Sequence, residues 1–141
     1  MRTAAVTPKP NPRKTSINAP FWEGCNDGRL MLQRCAGADC ERHVYYPRAC
    51  CPYCGGGDLD WVEASGQGRV VSWTMVHRPH HAGFGPEAPY VFVAVALAEG
   101  PLMYSRLAGM PAGDLLGRSV RAVFVEHGPG RKVPFFEIEN G

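Results

Sequence analysis

The sequence has no long hydrophobic segment and no signature of a common catalytic site. No apolar run among its 141 residues approaches the roughly 18 that a membrane-spanning helix needs, and no apolar stretch near the N-terminus resembles a secretory signal. No serine or cysteine stands in a recognised nucleophile motif, and no glycine-rich loop with the required lysine is present to hold phosphates. We therefore expect a cytoplasmic protein that contacts no membrane and has no catalytic residues of its own.

Acidic residues are missing from the first eighteen positions, which makes the net charge of the chain misleading. That segment contains Arg2, Lys9, Arg13 and Lys14, so the other residues carry a net charge of −2 although the whole chain carries +2. A body without excess positive charge argues against nucleic-acid binding. Because the segment is also rich in proline and polar residues, we expect residues 1–18 to form a disordered basic tail.

Cysteines are the most informative residues that the chain does contain. Four of the six form two pairs, Cys35 with Cys40 and Cys51 with Cys54, and the second pair lies in the sequence CPYCG. Two such pairs separated by a short loop are typical of a tetrahedral metal site with four thiolate ligands. Four thiolates fill the coordination sphere, so we predict a structural zinc ion, with rubredoxin-type iron as the alternative.

Other roles for the cysteines remain open at this stage. The six residues could instead form disulfides, as in secreted proteins, although their paired spacing favours reduced thiols. Cys25 and Cys50 lie outside the proposed site, but Cys50 is the neighbour of Cys51 and could compete with it as a ligand. The four-residue interval between Cys35 and Cys40 is also at the wide end for such a site.

The remaining pattern predicts a mainly β protein with two folding units. A short helix and a linker are expected over residues 19–34, with Asn18 as the N-cap and Pro20 in the first turn. Residues 35–64 are predicted to form a rubredoxin-like zinc ribbon, and residues 65–141 a five-stranded OB-fold barrel. The expected barrel strands are residues 69–77, 90–97, 102–107, 119–126 and 133–138.

These residues resemble a known family of bacterial and archaeal proteins. The shared pattern includes FWEG at 21–24, LQRC at 32–35, CPYCG at 51–55, GQG at 66–68 and VVSWTMVHRP at 70–79. Members of this family pair an N-terminal rubredoxin-like zinc ribbon with a C-terminal OB-fold, and were catalogued as a domain of unknown function.

The resemblance implies a role beside a catalytic protein. Members accompany acyl-CoA enzymes, especially thiolase-like subunits and some hydratases of the MaoC type, and the catalytic residues belong to the partner. By this resemblance we expect a non-catalytic subunit of a hetero-oligomer, with a thiolase as the first choice of partner. Such a subunit binds the catalytic subunit and helps to hold or channel the acyl-CoA thioester.

Polar residues after the first barrel strand are candidates for the contact with CoA. His77, Arg78 and His80 precede a loop that contains glycine and proline, and Arg78 is the candidate for binding the CoA phosphates. The alternatives are a solvated loop at a partner interface, a second metal site that includes His81, and general acid–base catalysis by His77.

Aromatic residues leave two further choices open. Trp73, Phe92 and Tyr104 either belong to the core or stack the bases of a single-stranded nucleic acid on the OB-fold surface. Phe21 and Trp22 either anchor a partner protein or pack against the barrel of this chain. A single-stranded nucleic-acid-binding module is therefore the main alternative function, followed by an iron-containing redox carrier.

Overall fold

The mainly β fold predicted from the sequence is confirmed. The computed structural model describes residues 7–139; the first six residues of the expected tail, with Arg2, lie outside the described residues, as do the last two of the chain. In chain order, the elements are α1 (Ala19–Asn26), β1 (Met31–Cys35), β2 (His43–Val44), β3 (Leu59–Glu63), β4 (Gln67–Val76), a 3-10 helix (Ala82–Glu87), β5 (Tyr90–Leu97), β6 (Leu102–Arg106), β7 (Ser119–Gly128) and β8 (Arg131–Ile138).

The strands form two antiparallel sheets. The smaller sheet has the order β2-β1-β3 and belongs to the zinc ribbon, whereas the larger sheet has the order β6-β5-β4-β7-β8. The larger sheet curls until Leu107 pairs in parallel with Phe136, and the N–H of Ala108 donates to the carbonyl of Phe136 at 2.7 Å. This contact brings the five strands into the nearly closed barrel of an OB-fold.

The alternation of side chains along β5 shows why this sequence forms a barrel wall. Val91, Val93 and Val95 are fully buried, whereas Phe92 between them is exposed on the other face. Successive side chains of a strand point to opposite faces, so the three valines line the interior. Burying one valine side chain contributes roughly 1.5–3 kcal/mol relative to leaving it exposed, and β-branched residues suit strands.

Helix α1 and the ribbon strand β1 complete the core of the barrel. Phe21 and Cys25 of the helix and Leu32 of β1 belong to the same buried cluster as Phe136 of β8. Phe21 therefore packs against the barrel of its own chain and is not free to anchor a partner. Trp22 also packs partly against this cluster.

The start of α1 differs in detail from the expected cap. Asn18 is the N-cap residue, but its side chain makes no hydrogen bond to the helix. Its Oδ1 instead accepts a hydrogen bond from the N–H of Thr15 at 2.7 Å. Pro20 lies in the first turn, where its missing N–H costs nothing because the first N–H groups of a helix have no partner in the helix.

Residues 7–15, which we call the N-terminal strap, have no helix or strand but contact the barrel. Lys9 Nζ lies 2.8 Å from Glu87 Oε2, and the carbonyl of Pro10 lies 2.8 Å from Nε2 of His127. Composition alone suggests disorder for this segment because it does not reveal distant partners. Within the described residues, no helix is both long and apolar enough to cross a bilayer.

Candidate metal centre and neighbouring surfaces

Four cysteine side chains meet beside the small sheet. Cys35 ends β1, Cys40 lies in the following turn, and Cys51 and Cys54 lie in the turn that precedes β3. All four sulfur atoms lie within 4.8 Å of one another. Two of the pairs are close, Cys35 with Cys54 at 3.6 Å and Cys40 with Cys51 at 3.7 Å. A regular tetrahedron with Zn–S bonds of about 2.3 Å places sulfurs about 3.8 Å apart, so this spacing fits a zinc ion.

The two cysteine turns share a backbone device. Gly55, directly after Cys54, has a φ of 79°, and Glu41, directly after Cys40, has a φ of 55°. A left-handed residue at this position reverses the chain just after the second cysteine of each turn. Glycine adopts this conformation freely because it has no Cβ atom. In any other residue the left-handed conformation has a steric cost of about 1–2 kcal/mol. Glu41 is the only described residue other than glycine with a positive φ.

Glycines also let the backbone approach the sulfur atoms. The N–H of Gly56 donates to Sγ of Cys54 at 3.4 Å. A Cβ atom built on Gly37 would lie 3.4 Å from Sγ of Cys35, which is van der Waals contact distance. N–H groups that donate to sulfur favour the thiolate, which is the form that binds metal.

Two thiols of the cluster, Cys51 and Cys35, have very different pKa values. Desolvation raises the pKa of Cys51, but backbone N–H groups of its turn and neighbouring thiols lower it, and the balance leaves it at about 7. For Cys35, a hydrogen bond from the Gly37 N–H lowers the pKa, whereas burial and the three nearby thiols raise it to about 12. Adjacent thiolates repel each other, so a bound cation is what allows all four to ionise.

The other two cysteines lie outside this group. Cys25 is fully buried in the core, where desolvation raises its pKa to about 12 and keeps the thiol protonated. Cys50 is exposed and does not join the cluster, although it is the neighbour of Cys51. All six cysteines are free thiols, so the disulfide alternative has no support.

The residues predicted to contact CoA follow the end of β4. His77, Arg78 and His80 are all exposed, and none of their side chains makes a hydrogen bond or an ion pair with another residue in the range 7–139. His81 behaves differently, because its Nδ1 accepts the N–H of Gly83 at 2.9 Å and caps the 3-10 helix. The histidines form no metal-binding group in the described part of the chain.

The aromatic residues considered for base stacking do not form one platform. Phe92 and Tyr104 are exposed on the outside of β5 and β6. Their rings stack with an angle of 3° between the ring planes. Trp73 packs partly against the core, and its Nε1 donates to Oδ1 of Asp114 at 3.3 Å. A series of stacked bases needs several rings on one surface, so this arrangement does not favour nucleic-acid binding.

Sequence reasoning missed an ion-pair cluster beside the N-terminal strap. Arg106 lies 3.9 Å from the ring centre of Tyr90 and 4.8 Å from that of Phe135, and its Nη1 donates to Glu87 at 2.8 Å. Desolvation raises the pKa of Glu87, but hydrogen bonds from Lys9 and Arg106 outweigh it and lower the pKa below its usual range. Only the fold brings these distant residues together, and no local motif marks them.

Comparison with known proteins identifies the family. Residues 22–60 match the family model described as "ChsH2, rubredoxin-like zinc ribbon domain", and residues 61–125 match "ChsH2, C-terminal OB-fold domain". The chain belongs to the ChsH2 family of zinc-ribbon and OB-fold proteins. The resemblance expected from the sequence, and the zinc-ribbon and OB-fold assignments with it, are therefore confirmed.

Of three curated relatives of this ChsH2-family chain, two are much longer proteins. It is 37% identical over 129 residues to a Thermomonospora curvata protein named "Probable enoyl-CoA hydratase alpha subunit", covering 91% of the chain and 39% of that protein. It is 38% identical over 84 residues to a Pyrococcus furiosus "DUF35 domain-containing scaffold protein", covering 58% and 61%. A third relative, the Mycobacterium tuberculosis "3-oxo-4,17-pregnadiene-20-carboxyl-CoA hydratase alpha subunit", is 31% identical over 116 residues, covering 82% and 36%. The chain thus spans less than two thirds of each relative.

Two solved structures resemble the chain. A structure titled "Ltp2-ChsH2(DUF35) aldolase" has 35% sequence identity and a TM-score of 0.78, with 91% of this chain and 98% of that chain covered. A DUF35-family protein of unknown function from Sulfolobus solfataricus has 13% identity and a TM-score of 0.60, covering 88% and 86%. The second likeness concerns the fold alone.

Proposed function

We propose that this chain is a non-catalytic accessory subunit of a heteromeric acyl-CoA enzyme. The metal centre carries the non-catalytic part of the proposal, because four cysteine sulfurs converge on one position. An ion with four protein ligands has no open position for water or substrate, as a catalytic zinc requires. The acyl-CoA part is supported by relatives named as CoA hydratase subunits and by one named in an aldolase.

We infer that Cys35, Cys40, Cys51 and Cys54 hold a structural zinc ion. The ribbon end of the chain has a separate buried cluster of only three residues, Cys35, Val44 and Cys51. Such a small core cannot fold a module by itself. Zinc supplies folding free energy on the order of 10 kcal/mol in small zinc modules. Iron, the alternative for four thiolates, would give a red protein with a reversible potential, whereas we expect a colourless one.

We also infer that Arg78, together with His77 and His80, contacts the phosphates of CoA. Its guanidinium is exposed and free of partners among the described residues, so it can bind an anion without first breaking an ion pair. The planar guanidinium forms paired hydrogen bonds to phosphate oxygens, which a single point charge does not.

Two kinds of observation bear on the class of the catalytic partner. The sequence resemblance suggests a thiolase-like or MaoC-like subunit, with a thiolase as the first choice. The names of the relatives mention hydratase, aldolase and scaffold proteins. Thiolysis therefore stays a prediction, and activity measurements should cover thiolysis, hydration and aldol cleavage of acyl-CoA substrates.

The test is to purify the catalytic protein encoded beside this chain, with and without the chain. We expect the two to purify as a complex and acyl-CoA turnover to depend on the chain. Full turnover by the catalytic protein alone would count against the accessory role.

A substitution at Arg78 tests the CoA contact separately. Arg78→Ala should weaken CoA-ester binding by the complex by roughly tenfold, in line with the loss of a charge-assisted hydrogen bond. Its melting temperature should stay the same because the side chain is exposed. Arg48→Ala, at another exposed arginine with no described side-chain partner, is the control. Unchanged CoA-ester binding in Arg78→Ala removes Arg78 from the site.

A further inference from the structure

One surface of the barrel is apolar, exposed and unused by the metal centre or the proposed CoA contact. It is formed by outward-facing side chains of β4, β5 and β6, and we call it the outer apolar face. Its large members are Val71, Phe92, Leu102 and Tyr104, which are 49%, 39%, 41% and 57% exposed. The shallow groove between these strands is lined by Val71, Ser72, Trp73, Thr74, Phe92, Ala94, Leu102 and Tyr104. None of these side chains is charged.

Strand pairing makes this face continuous. Ala94 pairs with Tyr104, and Thr74 pairs with Phe92. Directly opposed residues of antiparallel strands share a face, so these side chains lie side by side. Large apolar residues that cluster on the outside of a soluble domain usually mark a binding surface.

The start of the edge strand at this face has little protection of its own. Strand β6 lies at the end of the sheet, with β5 as its neighbour. Its last residue, Arg106, is charged, but residues 102–105 (LMYS) include neither a charge nor a proline. The opposite edge strand, β8, carries Arg131, Lys132 and Glu137. Proteins normally protect free edges with charges, bulges or a covering element. The C-terminal end of β6 is covered by β8 through the Leu107–Phe136 bridge, so it is the start of β6, with Leu102 and Tyr104, that another element can cover.

The position of the face relative to Arg78 indicates what covers it. Strand β4 contributes Val71 and Thr74 to the face and then continues directly into His77 and Arg78. Arg78 is four residues beyond Thr74, which is at most about 14 Å of chain. A standard interface covers about 800 Å² on each partner, enough to include both the face and the neighbourhood of Arg78. A catalytic subunit that binds the outer apolar face would therefore have the proposed CoA contact at the edge of the interface.

We propose that the outer apolar face is the docking surface for the catalytic subunit, with Tyr104 and Phe92 as its aromatic anchors. This inference rests on the proposed function. The partner surface must itself be apolar and uncharged, because a charge placed against this face would be buried without a partner. Aromatic residues that become buried near the centre of an interface often dominate its binding energy.

A lysine at Tyr104 tests the proposal, and Tyr46 provides a matched control. The two tyrosines are 57% and 58% exposed, and Tyr46 lies in the ribbon rather than on the face. The zinc-loaded chain and its variants are titrated calorimetrically with the purified catalytic protein encoded beside it. Tyr104→Lys should weaken binding roughly tenfold or more, whereas Tyr46→Lys should change it by less than about twofold. Leu102→Lys is the second variant if Tyr104→Lys fails to fold.

The outcomes separate this inference from the proposed function. If the unmodified chain binds and both face variants bind equally well, the docking surface is wrong while the accessory role stands. No binding by the unmodified chain overturns both. A dimer of the chain alone that Tyr104→Lys dissociates shows that a second copy covers the face. Binding of a single-stranded oligonucleotide that Tyr104→Lys abolishes shows a nucleic-acid surface. Either of the last two results overturns the inference.

Discussion

Sγ of Cys35 lies 3.6 Å from Sγ of Cys54, although the two cysteines belong to different turns and are 19 residues apart. The second close pair, Cys40 with Cys51, also joins the two turns, at 3.7 Å. Each turn therefore contributes one sulfur to each close pair, so the two turns must meet before the four sulfurs can bind one ion. Loss of any one cysteine should consequently disturb both turns.

Cys54→Ser should remove most of the bound zinc and unfold the ribbon while leaving the barrel partly folded. The variant leaves three thiolates around the ion, and the small buried cluster of the ribbon cannot replace the lost folding free energy. The barrel keeps its own core, which includes Val93 and Phe136. Elemental analysis of zinc per chain and circular dichroism of thermal unfolding measure the two effects.

Cys50→Ser is the matched control for the ligand assignment. Cys50 is exposed and adjacent to Cys51 in sequence, but it lies outside the group of four sulfurs. The variant should therefore retain the zinc content of the unmodified chain. Zinc loss in Cys50→Ser, with zinc retained in Cys54→Ser, would contradict the assignment.

Glu41→Gly should stabilise the zinc-loaded ribbon. Glu41 holds a φ of 55° directly after Cys40, where the other turn has Gly55. Glycine removes the steric cost of this conformation, and its greater freedom in the unfolded chain offsets part of the gain. We expect a net gain of up to about 1 kcal/mol, measured as slower zinc transfer to a chelator. Faster zinc transfer would show that the Arg34–Glu41 ion pair, at 3.9 Å, outweighs the strain.

Local sequence patterns account for the parts of the molecule that could be predicted. The ligand turn around Cys51 and Cys54 is defined by close spacing and a following glycine, so neighbours in sequence suffice to identify it. The run of β-branched and aromatic residues that begins at Tyr90, directly after Pro89, likewise marks a barrel strand without knowledge of its partners. The family models confirm both units of the fold.

Register explains why the outer apolar face could not be predicted. Trp73 and Tyr104 look equivalent in the sequence, since both are aromatic residues in predicted strands. Trp73 pairs with Val93, on the core side, whereas Tyr104 pairs with Ala94, on the outside. A shift of one residue in the pairing would exchange the faces, so the sequence alone does not assign them. The Lys9–Glu87 contact of the strap depends on tertiary structure in the same way.

Glu87→Gln should loosen the N-terminal strap at neutral pH. Glu87 binds both Lys9 and Arg106, and these contacts lower the pKa of its carboxyl group in the folded chain. Its contribution to stability is therefore present above the unfolded pKa, near 4.5, and is lost as the pH falls through the lower folded pKa. Hydrogen exchange of residues 7–15 should be faster in the variant, and the difference from the unmodified chain should disappear in acid.

Glu23→Gln is the control for the strap experiment. Glu23 also pairs with a basic residue of the strap, because Lys14 Nζ lies 3.0 Å from its Oε1. Both side chains of this pair are largely exposed, and such pairs contribute little to stability. Exchange in the strap should therefore hardly change in Glu23→Gln. An equal effect of the two variants would mean that the net negative charge of the folded body, rather than the specific contacts of Glu87 with Lys9 and Arg106, holds the strap.

Gly68→Ala should destabilise the barrel because β5 approaches the backbone of β4 at this position. A Cβ atom on Gly68 would lie 2.5 Å from Cγ1 of Val95 and 2.7 Å from the carbonyl oxygen of Ala96. The carbonyl belongs to the paired strand and cannot move without breaking the ladder, so we expect a loss of about 1–3 kcal/mol in the free energy of unfolding. Gly57→Ala is the control, since nothing lies within 4 Å of its Cβ position and its φ is not positive. Urea unfolding of the zinc-loaded chain should separate the two variants, and equal stabilities would show that β5 can move away from β4 here at little cost.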